Sequence, residues 1–174
     1  MRQIKRLYLL VLTMLLTGCL GMPPLVEPVQ AFELENYLGK WYEIARLDHS
    51  FERGLSRVTA EYDMRSDGGV SVLNRGFSEE KQEWEEATGR AYFVREENEG
   101  YLKVSFFGPF FGSYVVFELD RENYNYAFIS GPNNDFLWLL SRTPSVSSDI
   151  IEKFEQMSQE RGFDIDKLIY VDQD

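Results

Sequence analysis

Apolar and polar residues alternate along much of the chain downstream of residue 39. In the clearest segment, Val58, Ala60 and Tyr62 are separated by the polar residues Thr59 and Glu61. Successive side chains of a β-strand point to opposite faces, so this alternation predicts a strand with one buried and one wet face. Similar segments rich in Val, Tyr, Phe and Thr recur roughly every 8–12 residues, a spacing typical of all-β sandwiches and barrels.

The pattern predicts eight strands followed by one helix. The predicted strands span residues 40–48, 58–65, 70–77, 87–94, 101–107, 114–120, 124–130 and 136–142. Sequential antiparallel strands joined by short turns favour an eight-stranded up-and-down β-barrel. An apolar stripe at helical spacing predicts a C-terminal α-helix that packs outside the barrel; it consists of Ile150, Ile151, Phe154 and Met157. The helix is expected to end at Gly162. A short final strand is expected after this helix.

The first residues have the layout of an export signal. The basic residues Arg2, Lys5 and Arg6 precede an apolar run over residues 7–16, and the single cysteine, Cys19, comes soon afterwards. This run is about half of the roughly 20 residues that a membrane-spanning helix needs. We therefore predict three regions: a removable signal peptide over 1–18, a proline-rich tether over 19–31 and a folded domain over 32–174.

Charge and residue counts exclude several functions. Removal of the predicted signal peptide leaves 15 basic against 29 acidic residues, a formal charge of −14. Such a surface repels phosphate backbones, so a nucleic-acid partner is excluded. One histidine and one cysteine are too few for the common His/Cys metal sites, and no serine lies in a G-x-S-x-G setting. We predict a binding protein without metal, cofactor or catalytic residues.

Two separated motifs resemble those of the lipocalins. Gly39 and Trp41 form a G-x-W motif at the start of the first predicted strand, and Arg142 stands at the end of the eighth, just before the helix. The family's middle T-D-Y motif is absent. In lipocalins the arginine lies across the tryptophan at the closed end of the barrel, and the resemblance implies the same cation–π contact here.

The resemblance extends to bacterial outer-membrane lipoproteins of that family. It covers nearly the whole predicted mature chain, through residues 41–46, 51–54, 103–110 and 137–138. The tetrad at 16–19 resembles a lipobox, which implies acyl chains such as palmitate on Cys19 and attachment to the outer membrane, facing the periplasm. The resemblance also implies a fatty acid or lysophospholipid ligand, stored or transported in envelope maintenance, and it leaves a homodimer open.

The ligand-binding hypothesis rests on the side chains that alternation and the lipocalin register turn inward. Those expected to contact a ligand are Val58, Ala60, Tyr62, Ala91, Phe93, Leu102, Val104, Phe106, Tyr114 and Val116. The same side chains could instead fill the core of a structural or interaction lipoprotein of the envelope. His49 and Arg53 follow the first strand and are expected at the open mouth, where they would meet a ligand headgroup, or else form part of a solvated loop.

The sixth strand has two apolar faces, so its register is open. The alternation pattern favours Val115 and Phe117 inward, whereas the lipocalin register places Tyr114, Val116 and Glu118 inward. We favour the second register. An inward Glu118 would need a hydrogen-bond partner or a raised pKa.

Overall fold

A closed antiparallel β-barrel forms most of the computed structural model, which describes residues 20–174. The predicted signal peptide and Cys19 lie outside the described residues. A one-turn helix α1, Leu34–Tyr37, precedes the barrel. The eight barrel strands are β1 Gly39–Leu47, β2 Leu55–Met64, β3 Val70–Ser78, β4 Glu83–Phe93, β5 Tyr101–Ser105, β6 Gly112–Leu119, β7 Tyr126–Ser130 and β8 Leu137–Ser141.

Each strand pairs antiparallel with the next, and β1 closes the barrel by pairing with both β2 and β8. Trp41 on β1 is opposite Ala60 on β2, and Tyr42 is opposite Ser141 on β8. The barrel has one closed and one open end. The β2–β3, β4–β5 and β6–β7 turns lie at the closed end, and the β1–β2, β3–β4, β5–β6 and β7–β8 connections lie at the open end. The predicted up-and-down eight-stranded barrel is confirmed.

One helix packs outside the barrel, as predicted. This helix, α2, spans Ser148–Glu160 and is followed by a 3₁₀ turn, Ile165–Lys167. A short strand β9, Leu168–Tyr170, then pairs with residues 45–47 at the end of β1. Phe154 of α2 is fully buried, and its ring centre lies 5.0 Å from that of Phe128 on β7. None of the helices among residues 20–174 is long and apolar enough to cross a membrane.

The sixth strand follows the lipocalin register only as far as Val116. Tyr114 and Val116 belong to the apolar cluster inside the barrel, but a bulge between Val116 and Glu118 shifts the pairing with β7. Glu118 therefore faces the outer helix, where its Oε1 accepts a hydrogen bond of 2.5 Å from Lys153 Nζ. The expectation that Glu118 faces inward is wrong, because the extra residue Phe117 reverses the alternation.

The segment predicted as a tether packs against the barrel. Val26 and Val29 are buried, with 3% and 6% of their surface exposed. Val29 N–H donates to the Val116 carbonyl, and the Val29 carbonyl accepts from Gly100 N–H, so the segment joins β6 to the β4–β5 turn. Proline content indicates a segment without regular structure, but it does not predict whether that segment is docked or free.

Candidate functional site

The barrel encloses a cavity of about 440 Å³ that opens at the end opposite Trp41. Its wall is mostly apolar because the inward positions of the strands carry aliphatic and aromatic side chains. The small residues Ala60, Ala87 and Ala91 on β2 and β4 leave the space vacant. A volume of this size lies within the range of roughly 300–1,000 Å³ that is typical of small-molecule sites in proteins.

Most of the predicted inward residues lie on the cavity wall. They are Val58, Ala60, Tyr62, Ala91, Leu102, Val104, Phe106 and Tyr114. Phe93 and Val116 point into the barrel but pack in its inner apolar cluster instead of lining the cavity. Phe93 lies 6.2 Å from Phe32, ring centre to ring centre, so the chain before β1 covers it.

Part of the wall comes from residues that the alternation did not identify. Phe32, Leu34 and Tyr37 precede the barrel and line the deep part of the cavity. They stand in and beside the short helix α1, where no strand alternation gives the direction of a side chain. Their apolar character, in a segment directly before the G-x-W motif, was the available signal.

The closed end is sealed by Trp41 and Arg142. Trp41 is fully buried, and the Arg142 Cζ atom lies 3.9 Å from the centre of its ring. The indole Nε1 donates to the Tyr37 carbonyl at 2.8 Å. Gly39 adopts φ +88°, a left-handed conformation that favours glycine, and lets the chain turn into β1 beside the arginine.

Three tyrosine hydroxyls meet at the floor of the cavity. Tyr114 Oη lies 2.6 Å from Tyr37 Oη and 2.9 Å from Tyr62 Oη, within hydrogen-bond distance of both. Burial raises the pKa of all three hydroxyls above the ordinary value of tyrosine. The group is therefore neutral and supplies a small polar patch at the bottom of an apolar space.

Neither residue predicted to meet a headgroup lines the cavity. His49 is 6% exposed and packs among the rings of Phe51, Phe136 and Trp138, at centre distances of 4.1, 5.8 and 5.0 Å. Burial lowers the pKa of His49 to about 4, so the imidazole is neutral at physiological pH. The Arg53 side chain is exposed and pairs with Asp48, 2.7 Å from nitrogen to oxygen. The imidazole packs against the aromatic residues of the mouth, and its Nε2 lies 3.2 Å from Glu52 Oε2.

Two buried carboxyl groups, Glu43 and Glu52, are among the polar groups that line the cavity. Arg46 Nη1 donates to Glu43 at 2.6 Å, Arg46 Nη2 donates to the Glu52 carbonyl at 2.8 Å, and the Trp138 indole donates to the Glu52 side chain at 3.1 Å. Burial, with the neighbouring Glu52 charge, raises the pKa of Glu43 well above its usual range. Burial also raises the pKa of Glu52. Sequence alternation gave no signal for this cluster, because Glu43 lies in a strand that is buried on both faces.

The site offers a mostly apolar space with a small number of hydrogen-bonding groups. Among residues 20–174 no three His, Cys, Asp or Glu side chains form a group that could hold a metal ion. The neutral tyrosines lie at the deep end and the carboxyl pair lies near the mouth. This arrangement can receive an apolar chain with its polar end toward the opening.

Comparison with known proteins relates the chain to one family. Residues 32–173 match the family model described as a lipocalin-like domain. The chain is 70% identical over 169 residues to the outer membrane lipoprotein Blc of Vibrio cholerae, with 97% of this chain and 99% of the relative covered. It is 48% identical over 148 residues to the outer membrane lipoprotein Blc of Escherichia coli K12, with 85% and 83% covered.

A solved structure has the same architecture. Insecticyanin from the tobacco hornworm Manduca sexta superposes with a TM-score of 0.68, covering 87% of this chain and 86% of that one. The two sequences are 24% identical, so this likeness supports the fold alone.

Proposed function

The chain belongs to the lipocalin family, and we propose that it is a lipid-anchored outer-membrane member that binds one hydrophobic ligand in its barrel. The ligand class we propose is a fatty acid or a lysophospholipid, which the protein stores or transports in maintenance of the cell envelope. The proposed function is binding, without a chemical step on the ligand.

The observation that carries this proposal is the mostly apolar cavity of about 440 Å³ inside the barrel. A solid interior would have favoured a structural lipoprotein, whereas a vacant apolar space exposes wall residues such as Val104 and Leu102 to a ligand. Each methylene group transferred from water into such a space contributes about 0.8 kcal/mol, before the cost of ordering the chain. A single acyl chain therefore has a sufficient driving force to enter.

The proposed location rests on relatives and on the lipobox-like tetrad that ends at Cys19. Two relatives that align with most of the chain are named outer membrane lipoproteins. Acylation of Cys19 would attach the protein stably, because two or more acyl chains suffice where one does not. The chain offers no basic cluster as a substitute, since the predicted mature part has a formal charge of −14.

A titration with matched variants tests the binding proposal. Purified protein is titrated with palmitate and with a palmitoyl lysophospholipid while tryptophan fluorescence is recorded. Val104 lines the cavity, and Lys103 on the same strand faces outward against Phe111. Val104→Glu places a carboxylate in the apolar space and should abolish the response to both lipids, whereas Lys103→Glu should leave it unchanged.

The result that would overturn the proposal is equally specific. If the unmodified protein responds to neither lipid, or if Val104→Glu and wild type bind with equal affinity, the cavity is not the lipid site. Circular dichroism of each variant checks that the barrel is folded before affinities are compared.

A further inference from the structure

Three exposed phenylalanines surround the mouth of the cavity. Phe107 and Phe110 on the β5–β6 loop are 79% and 75% exposed, and Phe51 on the β1–β2 loop is 53% exposed. All three contribute to the cavity opening. We propose that this aromatic rim, Phe51, Phe107 and Phe110, inserts into the membrane to which the protein is anchored, so that the barrel opens directly onto the lipid. The proposal deepens the proposed function and rests on its lipid anchor at Cys19.

The start of the described chain lies at the same end of the barrel as the aromatic rim. Followed toward the N-terminus, the segment leaves the β4–β5 turn of the closed end at Val29. It then runs along the outer wall toward the open end, through the buried residue Val26. At its end, Gly21 faces the β7–β8 loop, where an added β-carbon would lie 3.7 Å from the Pro132 carbonyl oxygen. Pro132 itself contributes to the cavity opening.

The position of this segment is fixed by contacts. The Tyr101 hydroxyl donates a hydrogen bond to the carbonyl of Leu20, which is the residue after Cys19. Because Gly21 lies beside Pro132 of the β7–β8 loop, acyl chains on Cys19 would enter the bilayer within two residues of the open end. A long flexible tether would allow any orientation, whereas a docked segment directs the mouth, and not the Trp41 end, toward the membrane.

Charge is distributed unevenly around the open end and favours one side for membrane contact. The β5–β6 loop carries Phe111 with the cations Arg90 and Lys103 packed over its ring, at 5.7 and 5.2 Å from its centre. Acidic residues are concentrated instead on the β3–β4 hairpin, namely Glu79, Glu80, Glu83, Glu85 and Glu86. Anionic lipid headgroups would repel the hairpin, so the barrel should tilt with the β5–β6 loop down and the hairpin in water.

This geometry favours a bilayer over a second copy of the chain as the occupant of the aromatic rim. The anchor holds the rim beside the membrane at all times, and phenylalanine side chains are buried favourably at the boundary between headgroups and acyl chains. Contact with the lipid would also let a ligand leave the bilayer and enter the cavity without exposing its acyl chain to water. That transfer avoids the largest unfavourable step in moving an apolar lipid.

Depth measurements by electron paramagnetic resonance test the orientation. The full mature lipoprotein, with acylation verified by mass spectrometry, is reconstituted into phosphatidylcholine vesicles that contain one-fifth phosphatidylglycerol. Single spin labels are attached at Phe110→Cys on the aromatic rim, at Glu80→Cys on the β3–β4 hairpin and at Glu122→Cys at the closed end. We expect the label at 110 to gain accessibility to oxygen and lose accessibility to a water-soluble nickel complex, whereas the labels at 80 and 122 remain in water.

A second comparison isolates the phenylalanines from the anchor. A label at Phe51→Cys should leave the bilayer in the Phe107→Ser, Phe110→Ser background. It should stay in the bilayer when Met64, a 50% exposed apolar residue at the closed end, is changed to serine. These variants affect exposed side chains, so the barrel should remain folded.

Two outcomes would overturn the inference. One is a label at 110 that remains in water, or a label at 122 that enters the bilayer. The other is strong spin–spin coupling between labels at 110 without lipid contact, which would assign the rim to a second copy of the chain. Ligand titration in detergent-free solution does not depend on orientation, so a failure of this inference is distinguishable from a failure of the proposed function.

Discussion

Arg142 holds Trp41 at the closed end of the barrel, with its guanidinium carbon 3.9 Å from the ring centre. Its Nη1 donates to the Lys40 carbonyl at 2.9 Å and its Nη2 donates to the Asn36 carbonyl at 2.8 Å. Its Nε donates to the Tyr124 carbonyl at 3.3 Å. The side chain thus joins the end of the last barrel strand to the start of the first and seals the floor below the cavity.

We predict that Arg142→Lys lowers the free energy of unfolding by about 2 kcal/mol, because an ammonium group cannot satisfy three carbonyls and cover the ring at once. For a chain of this size, the melting temperature should fall by about 4–8 °C. Arg65→Lys is the matched control, since Arg65 forms an exposed pair with Asp67 and should change stability by less than about 0.5 kcal/mol. Equal melting temperatures for the two variants would show that the guanidinium does not seal this end.

Neutral His49 makes stability depend on pH. Burial lowers its pKa to about 4, whereas an unfolded histidine titrates at about 6.5. Between these values the unfolded chain gains a proton that the folded chain does not, so folding stability falls as the pH falls through this window. His49→Phe keeps the stacking on Phe51 and Phe136 and cannot be protonated.

We therefore expect wild type and His49→Phe to have similar stability at pH 7, and the variant to be more stable by about 2–3 kcal/mol at pH 4.5. Urea unfolding at both pH values measures the difference. The raised pKa values of Glu43 and Glu52 give the opposite slope. Because His49 Nε2 lies 3.2 Å from Glu52 Oε2, the comparison is repeated in the Glu52→Gln background, where the histidine contribution should remain. Parallel stability curves over this range would contradict a buried neutral histidine.

Glu118 should have no role in ligand binding. It lies outside the barrel, paired with Lys153 of α2 and within 3.3 Å of the Tyr126 hydroxyl. Glu118→Gln should leave lipid affinity unchanged and cost less than about 1 kcal/mol of stability, as is usual for a partly exposed ion pair. A change of more than about tenfold in affinity, which corresponds to about 1.4 kcal/mol, would place the carboxylate inside after all.

The sequence predicts this fold well where one face of a strand is apolar and the other polar. The alternation of Val58, Ala60 and Tyr62 predicts which face of β2 points into the barrel, because burial of one face is the physical cause of the pattern. The same argument fails on β6, where Val116 and Phe117 are both buried, one inside the barrel and one under α2. A bulge between two apolar faces leaves no signal in the order of residues.

The mouth of the cavity was less predictable than its wall. The sequence predicts that His49 meets a ligand headgroup. Its burial, however, depends on Phe136 and Trp138, which lie nearly ninety positions further along the chain. Glu43 and Glu52 approach each other only because the β1–β2 loop folds back over Arg46. Contacts of this kind depend on tertiary packing, and no local pattern of residues encodes them.

The central claim is that the cavity holds one single-chain lipid, and native mass spectrometry tests it most directly. The protein is mixed with an excess of palmitoyl lysophospholipid and compared with two variants of β4. Ala91→Phe fills the cavity from the wall, and Thr88→Phe places the same ring on the exposed outer face. We predict one bound lipid per chain in wild type and Thr88→Phe, and none in Ala91→Phe. Wild-type protein that carries no lipid, or an Ala91→Phe variant that carries as much as wild type, would contradict the account.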